Sequence, residues 1–185
     1  MDTLDALDQS FASTRTVVAQ VRPEHLSLPT PCSEWDIQAL LAHLLGSIDA
    51  FRAHAARAPA DDVPAREVSN NVLDAYHEAT SAALETWRAP GALDGEVTLG
   101  VGITIPAEVA AGISTADCLV HGWDLQRALG GDLEVDPELA DHVLAISSAV
   151  VTPDFRGPRT FGPEVTVAAD ASPTARLVGF LGRRP

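Results

Sequence analysis

Apolar residues recur at three- and four-residue intervals along most of the chain, which is the spacing that buries one face of an α-helix. The first segment shows it clearly, with Leu4, Leu7, Phe11 and Val18 on one face. The same pattern, divided by prolines and glycines, predicts five long helices and one short closing helix. Their expected ranges are 2–20, 34–58, 65–88, 106–129, 136–151 and 172–181.

Local residues indicate where some of these helices begin and end. Ser33 with Asp36 three residues later resembles a capping box, so we expect the second helix to begin at Glu34. Gly130 and Gly131 follow the fourth helix, as glycine commonly does at a helix C-terminus.

Two stretches, 96–105 and 161–169, have a pattern that indicates short extended segments instead. The pattern as a whole predicts an all-α fold: a four-helix bundle with short extended segments and a small C-terminal helix. A length of 185 residues favours one domain across 1–185, because domains usually hold about 100–200 residues.

Charge excludes several classes of partner and chemistry. The formal net charge of -14 disfavours binding to nucleic acid, which depends on clustered basic residues. All 12 basic residues are arginine, so neither a Schiff-base lysine nor a P-loop lysine is available.

No apolar run approaches the ~20 residues that span a bilayer, and the first residues lack the features of a signal peptide. We therefore expect a cytoplasmic protein without a membrane partner.

The two cysteines, Cys32 and Cys118, are not in a CxxC arrangement. Their spacing indicates neither a disulfide framework nor a thiolate zinc knuckle. We expect each of them to be a small buried side chain.

The fourth helix carries the most informative polar pair, Asp117 and His121. Residues four apart on a helix project side by side about 6 Å apart, so these two side chains can hold one ion together. Small residues surround them on the same face, namely Ala110, Ser114 and Ala128. The same spacing also fits an ordinary carboxylate–imidazole pair on a helix surface.

His43 lies at the edge of the apolar face of the second helix, among small neighbours that would let a ligand approach. Taken alone, His43 fits a histidine at the boundary of the core better than a metal ligand. His25, His77 and His142 are weaker candidates for metal ligands, and we expect them at the surface. His54 is on the face of His43 but about 16 Å further along the helix axis, too far to share one ion.

Three segments are informative because of their residues and their order along the chain: TPCSEWDIQALLAHLLG, DCLVHGWDLQRALGGDLEVDPEL and FGPEVTVAADASPTARLVGFLGRRP. Together they resemble the DinB-like family that includes the metal-binding domain of mycothiol-dependent maleylpyruvate isomerase. The resemblance implies a four-helix bundle with a divalent metal held by His43, Asp117 and His121. It also suggests that Ser47 and Asp124 orient these ligands or an incoming thiol.

The chain differs from the isomerase in two expected respects. The isomerase has a glutamate at the position of Asp117, and an aspartate side chain reaches about 1.5 Å less. The ion is therefore expected to lie deeper in the site or to be bound more weakly. Too few residues follow the bundle to build the further C-terminal domain of the isomerase. The resemblance therefore implies the family's metal site and does not by itself assign the particular isomerase activity.

The resemblance leaves three functions open, and it assigns no catalytic base. Two imidazoles and one carboxylate leave a coordination position free, where a small thiol such as mycothiol could be activated for transfer to an electrophilic substrate or for an isomerisation. A metal-bound water could act instead, as in a hydrolase. The third alternative is a non-catalytic metal-binding or dimerising module, and a homodimer is compatible with such bundles. Zinc is the expected ion, and the ligands also suit nickel, iron or manganese.

Overall fold

The structure, a computed structural model, describes residues 1–58, 68, 71–100, 102–157 and 161–185. The helices are α1 (Thr3–Val18), α2 (Ile37–Ala55), α3 (Val72–Trp87), α4 (Ala107–Ala128), α5 (Pro137–Val150) and α6 (Pro173–Phe180). Short 3₁₀ turns cover Pro23–His25 and Pro153–Phe155. Among the described residues, no helix combines the length and apolar character needed to cross a membrane.

Helices α1 to α4 form the bundle that the periodicity predicts. Helix α1 packs on α4 and α3, and α2 packs on α4 and α3. Their apolar faces meet in one core, whose largest fully buried side chains include Leu7, Leu40, Leu44, Tyr76, Trp87 and Leu125. The prediction of a mainly helical bundle is confirmed.

A small antiparallel sheet links α3 to α4. Strand β1 (Glu96–Thr98) pairs with β2 (Thr104–Pro106). The extended segments expected at 96–105 are therefore present. Pro106 directly precedes the first helical residue of α4, and Gly130 with φ 82° follows its end.

A second apolar cluster joins α5 and α6 to the outer side of α4. Leu119 and Val120 of α4 contact a group that includes Leu139, Val143 and Leu177. Both added helices begin at a side-chain cap, since Asp136 accepts from Glu138 and Leu139 amides and Ser172 accepts from the Ala175 amide. The two helices extend the bundle beside the outer face of α4.

Helix α2 is shorter than the sequence predicts at both ends. It begins at Ile37 and not at Glu34, because the Asp36 carboxylate caps it by accepting from the Ala39 amide at 2.8 Å. It ends at Ala55, where Arg57 adopts a left-handed conformation and closes the helix with a Schellman pattern of hydrogen bonds. The capping-box prediction at Ser33 was therefore wrong.

Two further ranges differ from the expectation. Helix α3 begins at Val72, and Val68 is not helical, while residues 65–67, 69 and 70 of the predicted helix lie outside the described residues. The stretch 161–169 forms no strand, since Phe161 makes a single isolated bridge and the Val165 amide donates to the Gly179 carbonyl instead. Apolar alternation alone could not supply the partner strand that a ladder needs.

Helices α1 and α4 approach each other closely around Gly122. A Cβ added to Gly122 would overlap Thr14 Oγ1. The Thr14 hydroxyl donates to the Cys118 carbonyl at 3.1 Å, and Ser10 donates to the Thr115 carbonyl at 2.9 Å. These contacts fix the position of α4 against α1, and α4 carries the predicted site residues Asp117, His121 and Asp124.

Candidate metal centre

The three side chains that the sequence singles out come together between α2 and α4. His43 projects from α2, and Asp117 and His121 project from one face of α4. Each histidine Nε2 lies 3.5 Å from the same oxygen, Asp117 Oδ1. The ligand atoms of the three residues all lie within 4.8 Å of one another.

These spacings suit a shared ion better than direct hydrogen bonds. A nitrogen–oxygen hydrogen bond is usually 2.7–3.2 Å long. Two ligand atoms about 2.0–2.1 Å from a tetrahedral zinc ion lie about 3.3 Å apart. The two 3.5 Å separations are close to that value. Two imidazole nitrogens and a carboxylate oxygen are also ligands that zinc accepts. The three residues therefore fit a zinc ion in both spacing and chemistry.

Asp117 is held as a carboxylate by its neighbours. The Ser47 hydroxyl donates to Oδ2 at 2.6 Å, which leaves Oδ1 facing the two imidazoles. Burial acts to raise the pKa of Asp117, but hydrogen bonding from His43, the charge of both histidines and the Ser47 hydroxyl outweigh it and lower the pKa to about 2. Asp117 is therefore ionised. Although its side chain is shorter than that of a glutamate, its Oδ1 lies near both imidazoles.

The other ring nitrogen of His121 contacts Asp124. Nδ1 lies 3.0 Å from Asp124 Oδ2, and the Asp124 side chain is fully buried. Burial raises the pKa of Asp124, but hydrogen bonding from His121 and the nearby Arg183 charge lower it overall. An ionised carboxylate only accepts, so Nδ1 carries the hydrogen and leaves the Nε2 lone pair free for an ion.

Arg183 reaches this position from the C-terminal segment. Its Nη2 donates to Asp124 Oδ2 at 2.9 Å and its Nε donates to Oδ1 at 3.3 Å, so the contact is bidentate. The charge of the buried carboxylate is thereby matched. Sequence reasoning missed Arg183, because no local pattern links it to Asp124, which lies 59 residues earlier.

Cys32 also lies at this side of His121. Its Sγ donates to Asp124 Oδ2 at 3.3 Å and lies 4.0 Å from His121 Nδ1. Burial and the Asp124 charge raise the pKa of the thiol to about 12, so it stays protonated. Cys32, His121 and Asp124 form a second group close enough to hold an ion, although Arg183 already contacts Asp124. Both cysteines are free, Cys118 is buried as expected, and Cys32 is half-buried.

Trp35 covers the two histidines. Its ring centroid lies 4.6 Å from that of His43 and 5.9 Å from that of His121. The loop before α2 holds it there, since the Thr30 hydroxyl donates to the Trp35 carbonyl at 2.8 Å and accepts from the Cys32 amide at 3.1 Å. The same loop thus presents both Trp35 and Cys32 to the site.

The remaining histidines lie elsewhere. His54 is buried and packs edge-on against Phe51, and it is not part of the cluster. His77 is exposed, as expected, whereas His25 and His142 are half-buried.

A cavity opens beside the three-residue cluster. It lies between α4, α5 and the C-terminal segment, and Asp117, His121 and Arg183 contribute to its lining. Its volume is about 90 Å³. A small molecule in this cavity would contact two residues of the cluster.

A mainly helical bundle that brings two imidazoles and one carboxylate to a single point defines a class of protein: a helical bundle with an inward-facing candidate metal centre. Residues 7–126 match the family described as the mycothiol maleylpyruvate isomerase N-terminal domain. The chain belongs to this family.

Individual relatives agree with the family assignment. The chain is 37% identical over 184 residues to an uncharacterized protein of Mycobacterium tuberculosis strain H37Rv, covering 99% of this chain and 98% of the relative. An uncharacterized protein of strain CDC 1551 matches equally well. The crystal structure of the mycothiol-dependent maleylpyruvate isomerase superposes with a TM-score of 0.66 at 15% identity, covering 83% of this chain and 69% of that chain. A histidine-to-alanine mutant of that enzyme gives a TM-score of 0.65 with the same identity and coverage.

Proposed function

We propose that this protein is a divalent-metal-dependent enzyme that activates a low-molecular-weight thiol of the mycothiol type and joins it to, or isomerises, a small electrophilic substrate. The observation that carries the proposal is the approach of His43 Nε2 and His121 Nε2 to Asp117 Oδ1, each at 3.5 Å. Three protein ligands leave a further position open on a four-coordinate ion, which is the arrangement of catalytic zinc sites.

In this proposal each side chain has a defined task. His43 and His121 would hold the ion with their Nε2 atoms, and Asp117 would hold it with Oδ1, because these are the atoms that approach one another. Ser47 fixes the other oxygen of Asp117. Asp124 accepts from His121 Nδ1 and so sets the tautomer and orientation of that ring.

The chemistry follows from the open position. With a divalent ion held by His43, Asp117 and His121, the site would supply the Lewis-acid chemistry that favours the thiolate form of a small thiol near neutral pH. Trp35 covers the histidine side of the cluster, and the cavity lies on the side of Asp117 and His121. The thiol and the electrophile would meet on that open side.

Mycothiol is proposed as the thiol because the matching family and the superposing enzyme both carry that name. Zinc is the proposed ion, with nickel, iron and manganese as the alternatives that the donor set also accepts. We further propose that residues 1–185 form one domain and that the protein acts in the cytoplasm. The cytoplasm is a reducing compartment, in which the free Cys32 and Cys118 would remain thiols.

A conjugation assay tests the function. Purified protein, metal-free or loaded with one of the four metals, is incubated with mycothiol or another small thiol and the electrophile monobromobimane, and the fluorescent conjugate is quantified. We expect conjugation above the spontaneous rate only in loaded protein. The variant His43→Ala should lose this activity, and His77→Ala, at an exposed position on α3, should keep it.

Two results would contradict the proposal. The first is a rate equal to the spontaneous rate with every thiol and every metal, which would leave a non-catalytic metal-binding module. The second is metal-dependent hydrolysis of an ester such as p-nitrophenyl acetate without any thiol effect, which would make the protein a hydrolase.

A further inference from the structure

The two histidines of the candidate metal centre are held in different ways. His121 contacts the Asp124 carboxylate through Nδ1 at 3.0 Å, and such a contact fixes the orientation of an imidazole. His43 has no counterpart to Asp124, since no hydrogen bond reaches its Nδ1 in the part of the chain that the structure describes. Its side chain is also 36% exposed. Another kind of contact must therefore orient the His43 ring.

The indole ring of Trp35 makes that contact. The centroids of the Trp35 and His43 rings lie 4.6 Å apart, and the ring planes are inclined by 35°. Aromatic rings attract one another at centroid distances of roughly 4.5–7 Å, so this is a close pair. Rotation of the His43 ring away from Asp117 would break the stacking contact. Trp35 therefore restricts the orientations that His43 can adopt.

The loop before α2 holds Trp35 in one place. The Trp35 amide donates to the Cys32 carbonyl at 2.8 Å, and the Trp35 carbonyl accepts from the Thr30 amide at 3.3 Å and the Thr30 hydroxyl at 2.8 Å. Across the base of the loop, the Ile37 amide donates to the Leu28 carbonyl at 3.0 Å. Because its backbone is fixed by these bonds, Trp35 presents a stationary ring to His43.

The electronic properties of the two rings make their contact stronger when His43 is a metal ligand. The face of an indole carries partial negative charge. An imidazole that shares its lone pair with a divalent ion becomes electron-poor, so that face attracts it more strongly, as it attracts a cation. A contact that is stronger in one state shifts the equilibrium towards that state. Trp35 would therefore favour the metal-holding state of His43.

We propose that Trp35 is a positioning residue of the metal centre, which stacks on His43 and keeps its Nε2 turned towards Asp117. This inference rests on the proposed function, because it concerns the same ion, and it adds one residue to the site. A role in packing alone would require only an apolar side chain of similar bulk. The aromatic ring of Trp35 therefore distinguishes the two roles.

The test compares Trp35→Leu, which keeps apolar bulk, with Trp35→Phe, which also keeps a ring. Zinc affinity of the full chain is measured by competition with a chromogenic chelator, and circular dichroism confirms that each variant is folded. We expect the affinity to fall about three- to tenfold in Trp35→Leu, the usual contribution of one aromatic pair, and less than about twofold in Trp35→Phe. Trp87→Phe, in the core at α3, is the matched control and should keep the wild-type affinity.

Two affinity results would overturn the proposal. The first is a folded Trp35→Leu that binds zinc as tightly as wild type. The second is an equal loss in Trp35→Leu and Trp35→Phe, which would mean that the ring itself has no part in holding His43.

Proton NMR of metal-free protein reports the stacking itself. Protons of His43 that lie over the indole experience its ring current, which shifts their signals upfield, and the signals are assigned by their loss in His43→Ala. We expect the shift to disappear in Trp35→Leu and to remain largely in Trp35→Phe, while the signals of the exposed His77 do not move. Signals of His43 at the same position in wild type and Trp35→Leu would overturn the proposal.

Bimane conjugation, measured on the same samples, separates this inference from the proposed function. Wild-type protein that holds zinc and conjugates the thiol, with unchanged zinc affinity in Trp35→Leu, overturns the role of Trp35 alone. Protein whose zinc affinity depends on the ring at position 35, but which conjugates no thiol, supports the role of Trp35 and overturns the proposed function.

Discussion

His121 meets a different group at each of its two ring nitrogens. Nε2 faces Asp117 Oδ1 at 3.5 Å, and Nδ1 contacts Asp124 Oδ2 at 3.0 Å. Asp124 also accepts hydrogen bonds from the Arg183 guanidinium and the Cys32 thiol, so its carboxylate has three donors in total. The orientation of one imidazole therefore depends on groups from the loop before α2, from α4 and from the C-terminal segment.

The contact between His121 and Asp124 yields the first prediction. Asp124→Asn keeps the shape of the side chain but removes the charge that fixes the imidazole. We expect zinc affinity, measured by competition with a chromogenic chelator, to fall about 10- to 100-fold, as for other partners of metal-binding histidines. Asp132→Asn is the control, since that side chain is 76% exposed. Equal affinity of Asp124→Asn and wild type would show that Asp124 does not support the site.

Tyr76, the single tyrosine of the chain, is a clean optical probe of the core. Burial and the neighbouring Cys118 thiol raise the pKa of Tyr76 well above its usual value. A raised folded-state pKa contributes stability below the unfolded pKa of about 10, and that contribution is lost as pH rises further. We expect tyrosinate absorbance at 295 nm to appear only together with alkaline unfolding seen by circular dichroism. Ionisation of Tyr76 in a still-folded protein would contradict this.

At the level of elements, Gly122 sets the distance between α1 and α4. Alanine favours a helix over glycine by about 1 kcal/mol, but in Gly122→Ala the new methyl would overlap the Thr14 hydroxyl, which is bonded to the Cys118 carbonyl. Overpacking costs about 1–3 kcal/mol, so we expect a net loss of up to about 2 kcal/mol in the free energy of unfolding, measured in urea.

Gly46 of α2 is the matched control for Gly122. A Cβ built there meets nothing within 4 Å. We expect Gly46→Ala to stabilise the protein by about 0.5–1 kcal/mol through helix propensity alone. If both alanine variants stabilise the protein equally, the close approach at Gly122 is not rigid.

The helices could be predicted from the sequence because their apolar periodicity is a local property. The same holds for the pairing of Asp117 with His121, which needs only helical spacing. The start of α2 was placed too early, because Ser33 and Asp36 both resemble caps and only the observed Asp36–Ala39 hydrogen bond decides between them. The extended segment expected at 161–169 makes no ladder, because a ladder needs a partner strand that no local pattern reveals.

Parts of the site that depend on distant contacts were beyond the sequence. Cys32 lies 92 residues from Asp124, and Arg183 lies 59 residues from it. His43 could be named only through the resemblance to a known family, since its own helix offers no partner. The cavity likewise arises from packing of α5 and the C-terminal segment on α4.

On the scale of the whole molecule, Arg183 connects the C-terminal segment to Asp124 of α4. This side chain is 12% exposed and neutralises a fully buried carboxylate that contacts the cluster. Removing one partner of a buried pair is expensive, so Arg183→Met should lower the free energy of unfolding by about 3–5 kcal/mol. Arg184→Met, at the exposed neighbouring position, should change it by less than about 0.5 kcal/mol, with both variants compared by urea denaturation. Similar losses in the two variants would contradict the role of Arg183.

The proposed function depends on one ion shared by His43, Asp117 and His121. Its most direct test is elemental analysis of the purified protein, after zinc loading and dialysis against a weak chelator, for wild type, His121→Ala and the control His77→Ala. We predict about one zinc per chain in wild type and His77→Ala and almost none in His121→Ala, because two remaining ligands cannot compete with the chelator. A zinc content in His121→Ala equal to that of wild type would contradict the account.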